Sequence, residues 1–304
     1  MRPCIRLLLA LFVVLVVGRP ALAAPEDTVP RIAVLCAFEP EWKALRAITS
    51  HMQERTYKGV NFVTGEIEGK PVVLVLTGVS MVNAAMTTQM ALDRYNVTRI
   101  AVTGIAGGVD PSLNIGDITV PARWSQYLEA VFARETPEGF KLPPGVKTDV
   151  ANYGMIFPRG VRVFREGRAD SPRQLWFDAD PAMLQVARDA DAKAELRRCS
   201  SDSVCLLKEP QVRIGGNGVS GAAFIDNAAY RSYVFDTFKA QVLDMESAAI
   251  AHVATTNGVP FIVFRALSDL AGGGPAENEI RIFEQLAANN SVIVMRAFLR
   301  ALPN

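Results

Sequence analysis

Short apolar runs alternate with amphipathic stretches along most of the chain. RIAVLCAF, at 31–38, leads into EPEWKALRAI, whose apolar residues recur at helical spacing, so a strand is predicted to feed a helix. NFVTGEIEGKPVVLVLTG carries two β-rich runs around Glu68-Gly69-Lys70 and reads as a hairpin. A helix over 82–95, a strand over 99–103 and a strand in GDITVPARW from Gly116 follow. Residues 125–174 are rich in Pro, Gly and Arg without clear period, which predicts an extended excursion. Asp180-Pro181 then supplies an N-cap and first-turn pair for a helix to about 198. The last third repeats the alternation: VRIGGNG, a helix opening near Asp226, a short strand to Asp244, a helix over 246–257, a strand over 260–266 and a closing helix from about 276. Ile280, Phe283, Ala287, Val294 and Phe298 stripe that last helix. This order predicts an α/β three-layer sandwich, with a twisted, mostly parallel central sheet flanked by helices. No internal repeat or composition break divides residues 24–304, so one domain with an irregular insertion at about 125–174 is expected.

The N-terminus changes that picture only at its edge. Arg2 and Arg6 precede an unbroken apolar run over 7–17, followed by Gly18, Pro20 and Ala21-Leu22-Ala23. Eleven apolar residues are too few for a membrane-spanning helix, which takes about 20. The pattern predicts a signal peptide over 1–23, hence an exported, periplasmic or extracellular protein with no membrane segment after cleavage. Cleavage removes three arginines and no acid, taking the formal net charge from +1 to −2. A balanced charge with 50% hydrophobic residues excludes a disordered chain and a polybasic nucleic-acid binder. Cys199 and Cys205, in CSSDSVC, are either a disulfide closing a small loop in an oxidising compartment or two free thiols. Too few soft ligands stand close together for a zinc site, and neither a metal nor a cofactor is expected.

Open α/β sheets bind ligands beyond the carboxyl ends of their strands. Those ends here hold Glu39 and Glu41, Thr77-Gly78, TGIAGG at 103–108, GGNGVSG, Asp244-Met245-Glu246 and Ser268-Asp269. Carboxylates at three strand ends suit an acid/base site. A dinucleotide fold fails, because TGIAGG lacks the full GxGxxG and belongs to the fourth strand; no GxxxxGK[ST] occurs. GNGVSG is not the pentapeptide of a nucleophile elbow, and His51 and His252 are read as structural.

Several separated motifs now fall into one order: GVSMVNAAMTTQMAL, AVTGIAGGVDPSLNIGDITVP, FIDNAAYRSYVF and VLDMESAAIAHVATTNGVPFIVFRALSDLAGGG. Together they resemble the nucleoside phosphorylase/nucleosidase superfamily, in particular 5′-methylthioadenosine/S-adenosylhomocysteine nucleosidases and their secreted plant bark and vegetative storage relatives. The resemblance covers 31–123 and 211–300. It implies a nucleoside phosphorylase-like fold, a small-molecule nucleoside as ligand and a homodimer or homotrimer. It further implies hydrolysis of a purine N-glycosidic bond, with Asp269 protonating the purine at N7, Ser268 helping to hold it, and Glu41 activating the attacking water. Glu246 would bind the ribose hydroxyls, Met245 would pack on the sugar, and Phe224 and Ile225 would line the base pocket. Ala106 and Gly107, in TGIAGG, would also lie at the substrate.

Each assignment has a plainer competitor. Glu246 and Asp269 could be acids favoured by helix dipoles, Glu39 could take the place of Glu41, and Phe224 could be core. The family's SGDAFI is SGAAFI here, so Ala222 stands where an acid is usual, and a polar partner near the base is expected to be lost. A weakly active storage protein therefore stays beside the nucleosidase. A phosphate-dependent phosphorylase is the third reading, disfavoured because Glu39 and Glu41 would repel the dianion. Arg159, Arg162, Arg165 and Arg168, in the excursion, have no counterpart in the compact enzymes.

Overall fold

The computed structural model describes residues 27–168, 170–191, 194–200, 204–274 and 277–303. The expected signal peptide lies outside them. The first half runs β1 (Asp27–Cys36), α1 (Glu39–Arg46), β2 (Ser50–Tyr57), β3 (Val60–Ile67), β4 (Lys70–Leu76), α2 (Met81–Arg94), β5 (Tyr95–Gly108), β6 (Ile118–Val120) and β7 (Arg123–Gln126). Seven short strands follow: β8 (Ala130–Phe132), β9 (Arg134–Thr136), β10 (Gly139–Lys141), β11 (Ile156–Pro158), β12 (Val161–Arg162), β13 (Arg173–Gln174) and β14 (Phe177–Asp178). The chain closes with α3 (Pro181–Asp191), β15 (Val212–Ile214), β16 (Asn217–Ser220), α4 (Ala228–Phe238), β17 (Ala240–Asp244), α5 (Ser247–Asn257), β18 (Phe261–Asp269) and α6 (Ile280–Ala301).

One sheet organises the molecule, in the order β14-β7-β16-β17-β5-β1-β4-β3-β2, with β18 pairing β5 and β6, and β15 pairing β6. Its central pairs β1–β4, β1–β5 and β5–β18 are parallel. Strands buried on both faces must be apolar throughout, which is why IAVLC, VVLV and FIVF carry no polar alternation. Phe264 stacks toward Phe298 of α6, with ring centroids 5.3 Å apart, while its neighbour Arg265 donates to Ser247 at the head of α5. Successive strand residues point to opposite faces, so α6 and α5 cover the two sides of the sheet. Fully burying a side chain of the size of Phe264 or Phe298 stabilises by about 1.5–3 kcal/mol.

Several elements differ from the sequence reading. TGIAGG, read as the end of a fourth strand over 99–103, lies wholly inside the longer β5, which pairs β18 from Ile100 to Gly107 and then β17 through Gly107 and Gly108. Glycine is needed there because a Cβ on Gly104 would overlap Arg265 and Glu41. The helix expected to reach 198 ends at Asp191; beyond it the Arg197 amide is bonded to Asn290 instead. β2 had no apolar pattern because it is an edge strand exposed along nearly all its length. The excursion contains three two-stranded ribbons and returns through β14 to pair with β7. It is tied to α4 where Tyr153 meets Tyr230 edge-on and the Tyr233 hydroxyl donates to the Ala151 carbonyl. Cys199 and Cys205 are joined by a disulfide.

Candidate active site

Six strand ends converge on one cavity of about 210 Å³. Glu41, Ala106, Gly107, Phe224, Ile225, Met245, Glu246, Ser268 and Asp269 all line it. Asp244 and Val79 join them, and the lining residues include no lysine or arginine.

After β1 the chain turns through Ala37 and Phe38, so that the first turn of α1 projects Glu41 inward. Its carboxylate accepts from the amides of Ala37 (2.6 Å), Phe38 (3.3 Å) and, across the sheet, Ile105 (2.8 Å). Burial pushes its pKa up, against the opposing pull of Arg265 and these amides. Glu39 points into solvent beside Lys43, which separates the two glutamates left open by the sequence. After β4, Ser80 takes φ +88°, a conformation costing a non-glycine residue about 1–3 kcal/mol. That conformation directs its amide to Glu246, 2.9 Å from Oε1.

Asp244 ends β17 and heads α5. It accepts from the amides of Glu246 and Ser247, from both hydroxyls of Ser220 and Ser247, and from Arg265 Nε at 2.7 Å. The guanidinium also meets Glu246 Oε2 at 3.3 Å and Glu41 Oε1 at 3.7 Å. Burial opposes the charge of Arg265, but Asp244, Glu246 and Glu41 outweigh it and raise its pKa. One cation thus serves three carboxylates. Glu246 is consequently pushed up to about 7, first by burial and then by Asp244 and Glu41, with Arg265 opposing.

At the end of β18 the Ser268 hydroxyl donates to Asp269 Oδ2 (2.9 Å), while Oδ1 accepts from the Ala271 amide (2.8 Å) and Asn278 Nδ2 (3.3 Å). Asp269 is 2% exposed, and burial raises its pKa above the ordinary aspartate value. Phe224, 56% exposed, stands at the rim rather than in the core. Ala222 is exposed and outside the lining, so the missing acid is not felt directly inside the cavity. The pocket as a whole is apolar wall with four carboxylates and a single arginine already engaged behind it. Such a site favours a ligand that becomes electron-poor, and it can hold a proton on a buried acid near neutrality.

Arg265, Asp244 and Ser80 were not singled out by sequence reasoning. Arg265 had a signal, since a charge inside the run FIVFRALSD must be paired if buried. Asp244 stood at a strand end without a role, and the Ser80 backbone carries no signal at all.

The profile of the phosphorylase superfamily matches residues 31–300, and the chain belongs to that superfamily. Among its relatives, the 5′-methylthioadenosine/S-adenosylhomocysteine nucleosidase of Mycobacterium bovis is 24% identical over 275 residues, covering 90% of this chain and 96% of that protein. The Bacillus thuringiensis protein of the same name is 27% identical over 270 residues, covering 88% and 97%. The fold is shared with the Neisseria meningitidis nucleosidase in complex with methylthio-immucillin-A (TM-score 0.67, 22% identity, 91% and 100% covered). It is shared equally with the futalosine hydrolase of Helicobacter pylori (TM-score 0.66, 19% identity, 90% and 99% covered).

Proposed function

We propose that the protein hydrolyses the N-glycosidic bond of an adenosine-type nucleoside, a class that includes the 5′-thio-substituted ones, giving free base and sugar. The observation that carries this reading is the joint placement of Glu41, Glu246 and Asp269 on one largely apolar cavity, with the Arg265 guanidinium behind them occupied by carboxylates. Superfamily membership and the nucleosidase names of the relatives support it.

In this reading Asp269, whose hold on a proton burial strengthens, gives a proton to N7 as the bond from C1′ to the purine breaks and the electron pair leaves with the base. The ribosyl group becomes cationic, and the surrounding carboxylates stabilise that charge more than they stabilise the neutral nucleoside. Glu246 accepts from the ribose hydroxyls. Glu41 takes a proton from the water that attacks C1′. Phosphorolysis would need a dianion site, normally built from arginine and backbone amides, and a cavity lined by four carboxylates opposes it. The apolar Val79, Phe38 and Ile280 suit an uncharged substituent better than a 5′-phosphate.

Incubation with methylthioadenosine, adenosine and inosine, with and without phosphate, tests the proposal. Release of free base without phosphate is expected. Phosphate dependence with ribose 1-phosphate as product would make it a phosphorylase, and binding without turnover would make it a storage or binding protein.

Export after removal of residues 1–23 belongs to the same proposal, and the Cys199–Cys205 disulfide fits an oxidising compartment. A mature protein beginning at Met1 would contradict it. Self-association is also part of the proposal: Val82 and Met86 of α2, with Val79 just before it, expose an apolar stripe beside the cavity, which a second copy would cover.

A further inference from the structure

Asn278 joins two carboxylates that lie on different segments. Its Nδ2 is 3.1 Å from Asp226 Oδ1 and 3.3 Å from Asp269 Oδ1. Its Oδ1 accepts the Ile280 amide at 3.0 Å, which fixes the amide with its nitrogen toward both acids. Asp226 is held near by its own backbone: the Asn227 amide donates to the Ala271 carbonyl at 3.1 Å, and Gly272, at φ +83°, packs so tightly on Asp226 and Asn227 that a Cβ there would overlap them. Asp226 is exposed and serves no other bond among the described residues, whereas Asp269 is buried.

We propose that Asn278 and Asp226 are positioning residues for the acid step, the Asn278 amide spanning the two carboxylates so that the charge on Asp226 governs how firmly Asp269 holds its proton. The proposal rests on the reading of Asp269 as the acid. An aspartate within two hydrogen bonds disfavours a second negative charge on Asp269, while the amide donor steadies that charge once the proton has gone to the base. The other charged groups nearby are engaged elsewhere. Arg231 of α4 crosses Gly273 to donate to the Gly108 carbonyl, Glu279 lies beside Gly274, and Glu41, Asp244, Glu246 and Arg265 bond among themselves. Asp226 acts on Asp269 through space as well as through the Asn278 amide.

The test is the pH dependence of kcat/KM for the parent, Asp226→Asn and Asn278→Ser, the serine keeping an oxygen that can accept the Ile280 amide. Activity that needs protonated Asp269 falls as pH rises through its pKa. Asp226→Asn should move that basic limb to lower pH by about 0.5–1 unit at low salt, and by less at high salt because Asp226 is exposed. Asn278→Ser should move it to higher pH. Limbs that coincide with the parent's in both variants, or that move in the same direction, would overturn the proposal. Should Asn278→Ser fail to fold, the limb of Asp226→Asn decides alone. If Asp269→Asn keeps full turnover, the acid assignment itself fails; if it loses turnover while the limbs stay put, only the role of Asn278 and Asp226 fails.

Discussion

Arg265 Nε lies 2.7 Å from Asp244 Oδ2, and both side chains are almost wholly removed from solvent. This bond occupies the guanidinium where it is strongest and leaves Glu246 and Glu41 the longer contacts, so their carboxylates stay available to a ligand. Asp244→Asn keeps the shape and loses the charge-assisted bond. Denaturant unfolding should show a loss of about 1.5–3 kcal/mol. The freed guanidinium should also draw Glu246 away from the ribose and raise KM.

The same arginine limits what β5 can hold. A methyl group on Gly104 would collide with Arg265 and with Glu41. Gly104→Ala should therefore cost about 1–3 kcal/mol in stability and lower kcat, because the collision displaces two of the site's charged groups together.

Glu41 and Glu39 stand two residues apart in opposite surroundings, one sealed in the cavity and one in solvent. Glu41→Gln should lower kcat by about 10²- to 10⁴-fold, the usual worth of a general base, with little change in nucleoside affinity. Glu39→Gln should leave the kinetics unchanged. Equal effects in steady-state assays would refute the assignment of the base.

Glu68, in the turn between β3 and β4, is held by Arg300 and Arg296 of α6, which lower its pKa to about 2. Its folded pKa lies below the ordinary glutamate value, so its contribution is present above about 4.5 and is lost as pH falls from there toward about 2. Glu68→Gln should lower Tm at neutral pH and make no difference at the acid end of a calorimetric series.

The sheet, the hairpin around Gly69 and the helices opening after Asp244 and before Ile280 were legible because their signals are local: apolar runs, turn residues and helical stripes. The strand expected over 99–103 runs on through TGIAGG to Gly108, an extension that glycine's low strand propensity hides and that depends on pairing with β18, about 160 residues further on. AELRR, at 194–198, favours a helix in isolation but gives way to bonds with Asn290 and to the Cys199–Cys205 loop. At the site, the acids stood at strand ends where they could be found. Their pairing with Arg265 and with the Ser80 amide joins distant segments, and no spacing in the chain announces it. Ala222 shows the converse, a departure prominent in the sequence that the fold turns toward solvent.

Asp269 carries the central claim, because a purine leaves far more readily once N7 is protonated. The decisive measurement is turnover of methylthioadenosine in phosphate-free buffer by the parent, Asp269→Asn and Glu246→Gln, with nucleoside affinity measured alongside. The parent should release free base. Asp269→Asn should lower kcat by about 10²- to 10⁴-fold with affinity nearly intact, the mark of a contact made in the transition state, whereas Glu246→Gln should weaken affinity as well. Full turnover by Asp269→Asn, or no base released by the parent, would contradict the account.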